Sequence, residues 1–529
     1  MLRALGWVAV ALTLAGCTLT HTERESFAKL SEEFVYTTLA NSPVLATQVG
    51  YHRHGTLELD AALDDYSPEE LGRQRRWLQE LRLRLARSVD VRQLSPGDRA
   101  DFDTISDQIS LALLELETVQ SYRHNPTLYV ELIGNALYTP FVLEYSDKAS
   151  RYRHIIARLE KIPELLRQAR ANLTSAPEIW TRTAKSENDG NIGLIEGELR
   201  SGVPGELRAE YDRAAAPALA ALREFNRYLD TELIRRDHDW RLGSDKYGRK
   251  FRLVLATDMT PEQALAAAEK QLQTAREEMF AIARPIYDRI QPGRRGRAEL
   301  NAVVAAVLAD ISGRHATPET YFADARRDLE EARAFVREKN LLTLPARDNL
   351  QVIETPEFMR GIYAVGGFNA APPLQPELGA FYWITPIPKD WPADRIDSRL
   401  REYNYYGLKL LTIHEAVPGH YVQLEYANDV QPPLRRIIRS VFGNGPYVEG
   451  WAVYATELML DEGYLDHSPE LRLTFLKQQL RMIANTILDV RLQMMGMSDR
   501  EALDLMIRDC FQEREEATAK LRRAKLSSA

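Results

Sequence analysis

Three side chains close together in the sequence have the types needed to hold a metal ion and move a proton beside it. His414 and Glu415 are adjacent, and His420 follows six positions after the first histidine. A His-Glu pair with a second His is how zinc hydrolases set two imidazole ligands next to a general base. The usual interval is four residues, on one helix face. Six residues turn a regular helix by about 600°, leaving the rings roughly 120° out of line. Pro418 lies between them. It has no amide to donate to the His414 carbonyl, and its ring clashes with that carbonyl, so the helix must bulge or break. Gly419 can then adopt a backbone shape that other residues resist. With two residues looped out, His420 returns to the place of an i+4 neighbour. The alternative is that both histidines merely pack or cap near a Pro-Gly turn.

A third ligand strengthens the metal reading. Pro446 to Ala455 begins another helix, with Glu449 in its first turn. Two histidines and a carboxylate leave zinc an open position for water, and Glu415 is placed to take that water's proton. Without the upstream motif, Glu449 would read as a first-turn acid favoured by the helix dipole. For substrate, an extended edge strand supplies backbone partners. Gly379 to Thr385 is the candidate, with Tyr382 donating to an oxyanion or, alternatively, buried in a core hairpin. Arg481 and Arg491 lie ten residues apart on one helix, within about 80° in projection. Either could meet a substrate carboxylate, or form a structural ion pair with Asp489 or Glu449.

These side chains need a helical frame, and the chain is rich in helix starts. Ser67-Pro68-Glu69-Glu70, Thr260-Pro261-Glu262-Gln263, Thr317-Pro318-Glu319 and Ser468-Pro469-Glu470 each combine a capping hydroxyl, a first-turn proline and an acid at the positive pole. Ser498-Asp499-Arg500-Glu501 is a capping box. Apolar residues at three- and four-residue spacing follow, as in Leu71, Leu78, Leu81 and Leu85, or across 264–283 and 300–308. Strand signals are few: Asn349 to Glu354 and Gly379 to Thr385. Between them, Gly366-Gly367-Phe368 and Ala371-Pro372-Pro373 read as a loop. The expectation is one large, mainly α domain over residues 26–525 with a small β-sheet.

At the start, Arg3, an apolar run from Ala4 to Leu14 and then Leu14-Ala15-Gly16-Cys17 form a lipoprotein signal over 1–16. Cys17 would carry the lipid, with 17–25 as tether, in the bacterial cell envelope (outer membrane or periplasmic face if Gram-negative). Cys510 is the other cysteine, so no disulfide framework is available. The 529 residues carry a net charge of −8 with mixed signs, which argues against nucleic acid as a partner.

His-Glu-Ala-x-Pro-Gly-His-x-x-Gln at 414–423 and Glu-Gly-Trp-Ala-x-Tyr at 449–454 resemble the DUF885 family. Weaker landmarks are Ser42-Pro43 with Ala46-Thr47 and Gly50, Arg158 to Pro163, and Asn485 to Asp489. The resemblance spans nearly the whole mature chain. It implies a zincin-like (gluzincin-like) helical domain enclosing a cleft, one zinc ion on His414, His420 and Glu449, and Glu415 as base. Tyr421 and Gln493 depart from it, standing where many relatives would have histidines; the resemblance gives the second of these an oxyanion role. The function expected is a peptidase cleaving short peptides by attack of a zinc-bound water. The competing expectations are hydrolysis of another amide or ester, such as a cell-wall fragment, and a non-catalytic binding lipoprotein.

Overall fold

The computed structural model describes residues 25–294, 298–360, 363, 365–526 and 528. The signal segment and Cys17 lie outside the described residues. Glu25, expected in the tether, is already part of the fold: its carboxylate accepts from Arg84 Nε and Nη2, each at 2.8 Å.

The architecture is mainly helical with a small sheet. The capping signatures work as their chemistry requires. Ser67 and Ser468 accept from the amides three residues on, and Thr260 with Gln263 and Ser498 with Glu501 form reciprocal capping boxes. Thr317 differs. Its hydroxyl and that of Thr320 close a turn on each other's amides, and the helix starts only at Tyr321.

Among the described residues, four large groups of buried side chains hold the helices together, beside a small fifth of Leu143, Phe381 and Trp383. Helices Phe27–Asn41, Pro68–Ser88 and Pro96–Leu114 pack with Pro433–Val441, so a segment just after the His420 motif closes the N-terminal core. Thr127–Val142, Lys148–Asn172, Glu178–Leu194 and Arg208–Thr231 form a second group. The third pairs Pro261–Ile290 with Pro469–Met494. Leu265, Ala268, Leu272, Ala275 and Met279 recur at helical spacing against Leu473, Leu476, Leu480 and Ala484. Each such leucine stabilises the contact by about 1.5–3 kcal/mol. Cys510 sits in this group as an unpaired buried thiol, its pKa pushed up to about 12 by burial.

Arg158 explains why two N-terminal landmarks belong together. It is fully buried and donates to Thr47 Oγ1 at 2.7 Å, and to the carbonyls of Ala136, Ala62, Leu59 and Pro43. One guanidinium thus ties the Pro43–Gln48 turn of helix to Lys148–Asn172, with its donors satisfied.

The fourth group holds the site. Strands Leu350–Glu354 and Ala380–Ile384 run parallel, Leu350 opposite Ala380. A third strand, Gly366–Asn369, pairs antiparallel with Ala380–Ile384, Gly366 opposite Ile384. This corrects two expectations. Gly366-Gly367-Phe368 is strand rather than loop, because bare glycine permits close approach. A Cβ on Gly366 would stand 2.5 Å from the Trp383 carbonyl oxygen, and one on Gly367 2.5 Å from the Tyr363 ring. Ala380–Ile384 is therefore central and buried on both sides, leaving it no edge to offer a peptide.

Candidate metal centre and cavity

The helix carrying His414, Tyr405–Glu415, is seated from behind. Buried Lys409 donates to Asp328 at 2.7 Å and pairs with Glu331, fastening it to Tyr321–Glu338. One turn on, Thr412 Oγ1 donates to the Leu408 carbonyl and accepts from Tyr382 at 3.1 Å, joining the helix to the central strand. Tyr382 is fully buried in this contact, and burial drives its pKa well above the ordinary tyrosine value. Its hydroxyl does not face the cavity described below, so it positions the His414 helix instead of contacting substrate.

The helix ends at Glu415, and a new one, His420–Ala427, begins at His420. Between them the Val417–Pro418 bond is cis. The Gly419 amide donates to the Ile413 carbonyl at 3.0 Å, the acceptor that the amide of Val417 would use in an unbroken helix. Two residues have left the helical repeat, and His420 stands where an i+4 residue would. The two imidazoles are 4.8 Å apart between ring centroids, at 81° to each other.

Glu449 comes from Gly445–Asp461, whose start is capped by Asn444 accepting from the Tyr447 amide. Glu449 is thus one position beyond the first turn, so the dipole reading does not account for it. Its Oε2 lies 3.4 Å from His414 Nε2 and 3.7 Å from His420 Nε2. Ligands sharing a tetrahedral zinc at about 2.0–2.1 Å stand roughly 3.3–3.4 Å from one another, so this donor set fits such an ion. Hydrogen bonding to His414, then His420, holds the Glu449 carboxyl far below the usual carboxylate range. His414 is shifted upward: burial opposes its charged form, but the Glu449 hydrogen bond and the nearby Glu415 and Glu449 charges outweigh it. Glu415 is also raised, chiefly by burial, with His414 and His420 pulling the other way.

Trp451, two residues after Glu449, donates through Nε1 to the Pro418 carbonyl at 3.0 Å and the Gly419 carbonyl at 3.3 Å. The helix that supplies the carboxylate therefore also clamps the turn that supplies His420.

His414, Glu415 and Glu449 line a cavity of 1380 Å³. Arg481, Asn485 and Asp489 reach it from Pro469–Met494, Tyr247 and Phe251 from Gly243–Leu255, and Lys520 and Arg523 from the C-terminal helix Arg514–Leu526. Arg491 is not among the lining residues. Although aligned with Arg481 in projection, it lies about 15 Å further along the axis, where it pairs with Glu269. Gly379 precedes the central strand against the Phe381 ring and does not line the cavity either. Gln493 is buried and accepts from the Leu242 amide at 2.8 Å, and Tyr421 donates to the Arg347 carbonyl at 2.7 Å. Both departures from the family pattern are thus structural contacts in this chain. A second grouping, Glu58, Asp60 and His154, lies outside the cavity; Asp60 there already bonds Thr47 and His52. Lys520 and Arg523 were not anticipated, since nothing in their local sequence marks them off from the other charges of a polar helix.

A family model described as "Bacterial protein of unknown function (DUF885)" matches residues 43–529. The chain belongs to the DUF885 family. Among solved structures, this DUF885 chain is similar to a candidate lipoprotein of unknown function from Shewanella oneidensis, with TM-score 0.75 and 27% identity over 95% of this chain and 90% of that one. It also shares its fold with a candidate lipoprotein from Colwellia psychrerythraea, with TM-score 0.74 and 15% identity, covering 95% and 89%. No curated protein matches the chain.

Proposed function

We propose that this chain is a zinc-dependent hydrolase of short peptides. The observation that carries the reading is the convergence of His414, His420 and Glu449, with His414 and Glu449 lining a large cavity beside Glu415. His414, His420 and Glu449 would hold the ion, which when bound supplies Lewis acidity toward a carbonyl oxygen and an attacking water. Glu415, its carboxyl raised by burial, accepts the proton of the water and delivers it to the departing amine. The carbon–nitrogen bond breaks, the carbonyl carbon gains the hydroxyl, and the nitrogen gains the proton. Val365 and Gly366 reach the cavity wall, and Gly366–Asn369 is an edge strand, so this strand takes the peptide-docking role first expected of Gly379 to Thr385. The zincin-like reading of the fold rests on these motifs and not on the comparisons.

Metal analysis of the purified protein should give about one zinc per chain, the stoichiometry of a three-ligand site. Chelation should stop cleavage of a mixed peptide library, and added zinc should restore it. Active protein without stoichiometric metal would overturn the reading. We place the chain in the cell envelope through acylation of Cys17, on the strength of Leu14-Ala15-Gly16-Cys17 and of relatives described as candidate lipoproteins. Fatty-acid labelling in cells checks this, since Cys17→Ala should abolish it; persistent labelling would refute it.

A further inference from the structure

Two polar atoms beside the metal centre are buried and have no hydrogen-bond partner among the described residues: His420 Nδ1 and Gln423 Oε1. Both side chains are more than nine-tenths buried, with 7% and 9% exposure. His420 turns its other ring nitrogen, Nε2, toward Glu449, 3.7 Å from Oε2, so Nδ1 is the nitrogen left to find a partner elsewhere. The two residues stand three positions apart on His420–Ala427, and so on one helix face. Helical side chains lean toward the N-terminus, which brings Gln423 back over the turn that starts at His420. The Gln423 amide is anchored at its nitrogen end: Nε2 donates to the Tyr447 carbonyl at 3.4 Å, in the helix Gly445–Asp461 that carries Glu449. The buried acid of the same short helix, Glu425, is taken by Arg347 at 2.7 Å.

We propose that Gln423 is a positioning residue whose Oε1 accepts the Nδ1 proton of His420 when that imidazole gives Nε2 to zinc. This rests on the hydrolase reading above and adds the group that aims one of its ligands. Histidine binds a metal as the neutral ring through the lone pair of one nitrogen, and its proton then sits on the other. With the proton on Nε2, facing Glu449, Nδ1 would be one acceptor beside another, and the two could not bond. Commitment of Nε2 to a metal moves the proton to Nδ1 and creates the donor that the Gln423 oxygen lacks. A buried donor without an acceptor is costly, and ligating histidines almost always give their second nitrogen a partner. One end of the amide then holds the His420 ring. The other holds the backbone two residues before Glu449, so a single side chain sets two ligand-bearing helices against each other.

Zinc affinity of the full-length protein, measured by competition with a chelator, tests the role apart from turnover. Gln423→Met keeps the length of the side chain and removes the acceptor, so affinity should fall about tenfold, the lower end of the range for losing a partner behind a metal ligand. Gln423→Glu keeps the acceptor and gives up only the donor to Tyr447, so it should bind zinc at least as tightly as wild type. With isotope-labelled histidine, NMR of the zinc-loaded protein should show a slowly exchanging Nδ1 proton on His420 that is lost in Gln423→Met. Without zinc, Gln423→Met should melt at the wild-type temperature, because the oxygen it removes has no partner and the nitrogen makes only the one long contact. Equal zinc affinity in wild type and Gln423→Met overturns the positioning role and leaves the hydrolase reading standing. Equal losses in the Met and Glu variants, with a lower melting temperature, would make Gln423 a packing residue and also overturn it. Failure of the wild type to take up zinc removes the hydrolase reading and this inference with it.

Discussion

Glu415→Gln should leave the protein folded and metal-loaded while lowering peptide hydrolysis by about 10²–10⁴-fold, the usual contribution of a positioned general base. Glutamine has nearly the same shape, so the last turn of Tyr405–Glu415 and its packing against Lys409 and Thr412 contacts are retained. What is lost is the capacity to accept a proton. The carboxylate is half-buried and its pKa is raised mainly by that burial. A base of that kind is better matched to a water proton than an ordinary exposed glutamate. Glu415 is not one of the three converging ligands, so zinc content should not change. Paired measurements of zinc by elemental analysis and of library cleavage separate the two effects. Wild-type activity in the variant would dismiss Glu415 as base, and loss of zinc would make it a ligand or a fold residue.

The helical frame was legible because its signals are local. A hydroxyl, a proline and an acid at a helix start act within one turn, and the observed caps at Ser67, Thr260, Ser468 and Ser498 follow from that. The joining of His414 to His420 was legible for the same reason, since a proline without an amide must interrupt the bond pattern that separates them. Long-range partners were not. Gly366-Gly367 reads as a turn until the Trp383 carbonyl is known to stand against it. Tyr382 has the chemistry of an oxyanion donor, but Thr412 takes its hydroxyl from the far side of the helix. Arg491 and Arg481 share a projected face, and only the axial offset and the position of Glu269 show that one leaves the cavity. Lys520 and Arg523 have the opposite history: ordinary in sequence, they gain meaning only when the last helix closes against Pro469–Met494.

Gly419→Ala is expected to weaken zinc binding, and activity with it, by about 10–100-fold, the range for losing support of a metal ligand. The cause is a steric conflict that cannot relax by moving a side chain. A Cβ there would stand 1.9 Å from the His414 carbonyl oxygen and 2.4 Å from that of Ile413. Both atoms belong to the backbone of the helix end that presents the first ligand. Relief requires the turn to open, which breaks the Gly419 amide bond to Ile413 and draws the Pro418 and Gly419 carbonyls away from Trp451. His420 begins the next helix immediately after, so its ring moves with the turn. Overpacking of this kind costs about 1–3 kcal/mol in stability, which a chain of this size can absorb, so the variant should remain folded. Gly450→Ala provides the contrast. It is next to Glu449 on an intact helix, and a Cβ there meets nothing within 4 Å. That variant should melt at the same temperature or slightly higher, since alanine favours helix by about 1 kcal/mol over glycine. Zinc titration and thermal melting of both variants beside wild type decide the matter. Wild-type zinc affinity in Gly419→Ala would mean that the turn does not set the position of His420, and the argument from spacing would fall with it.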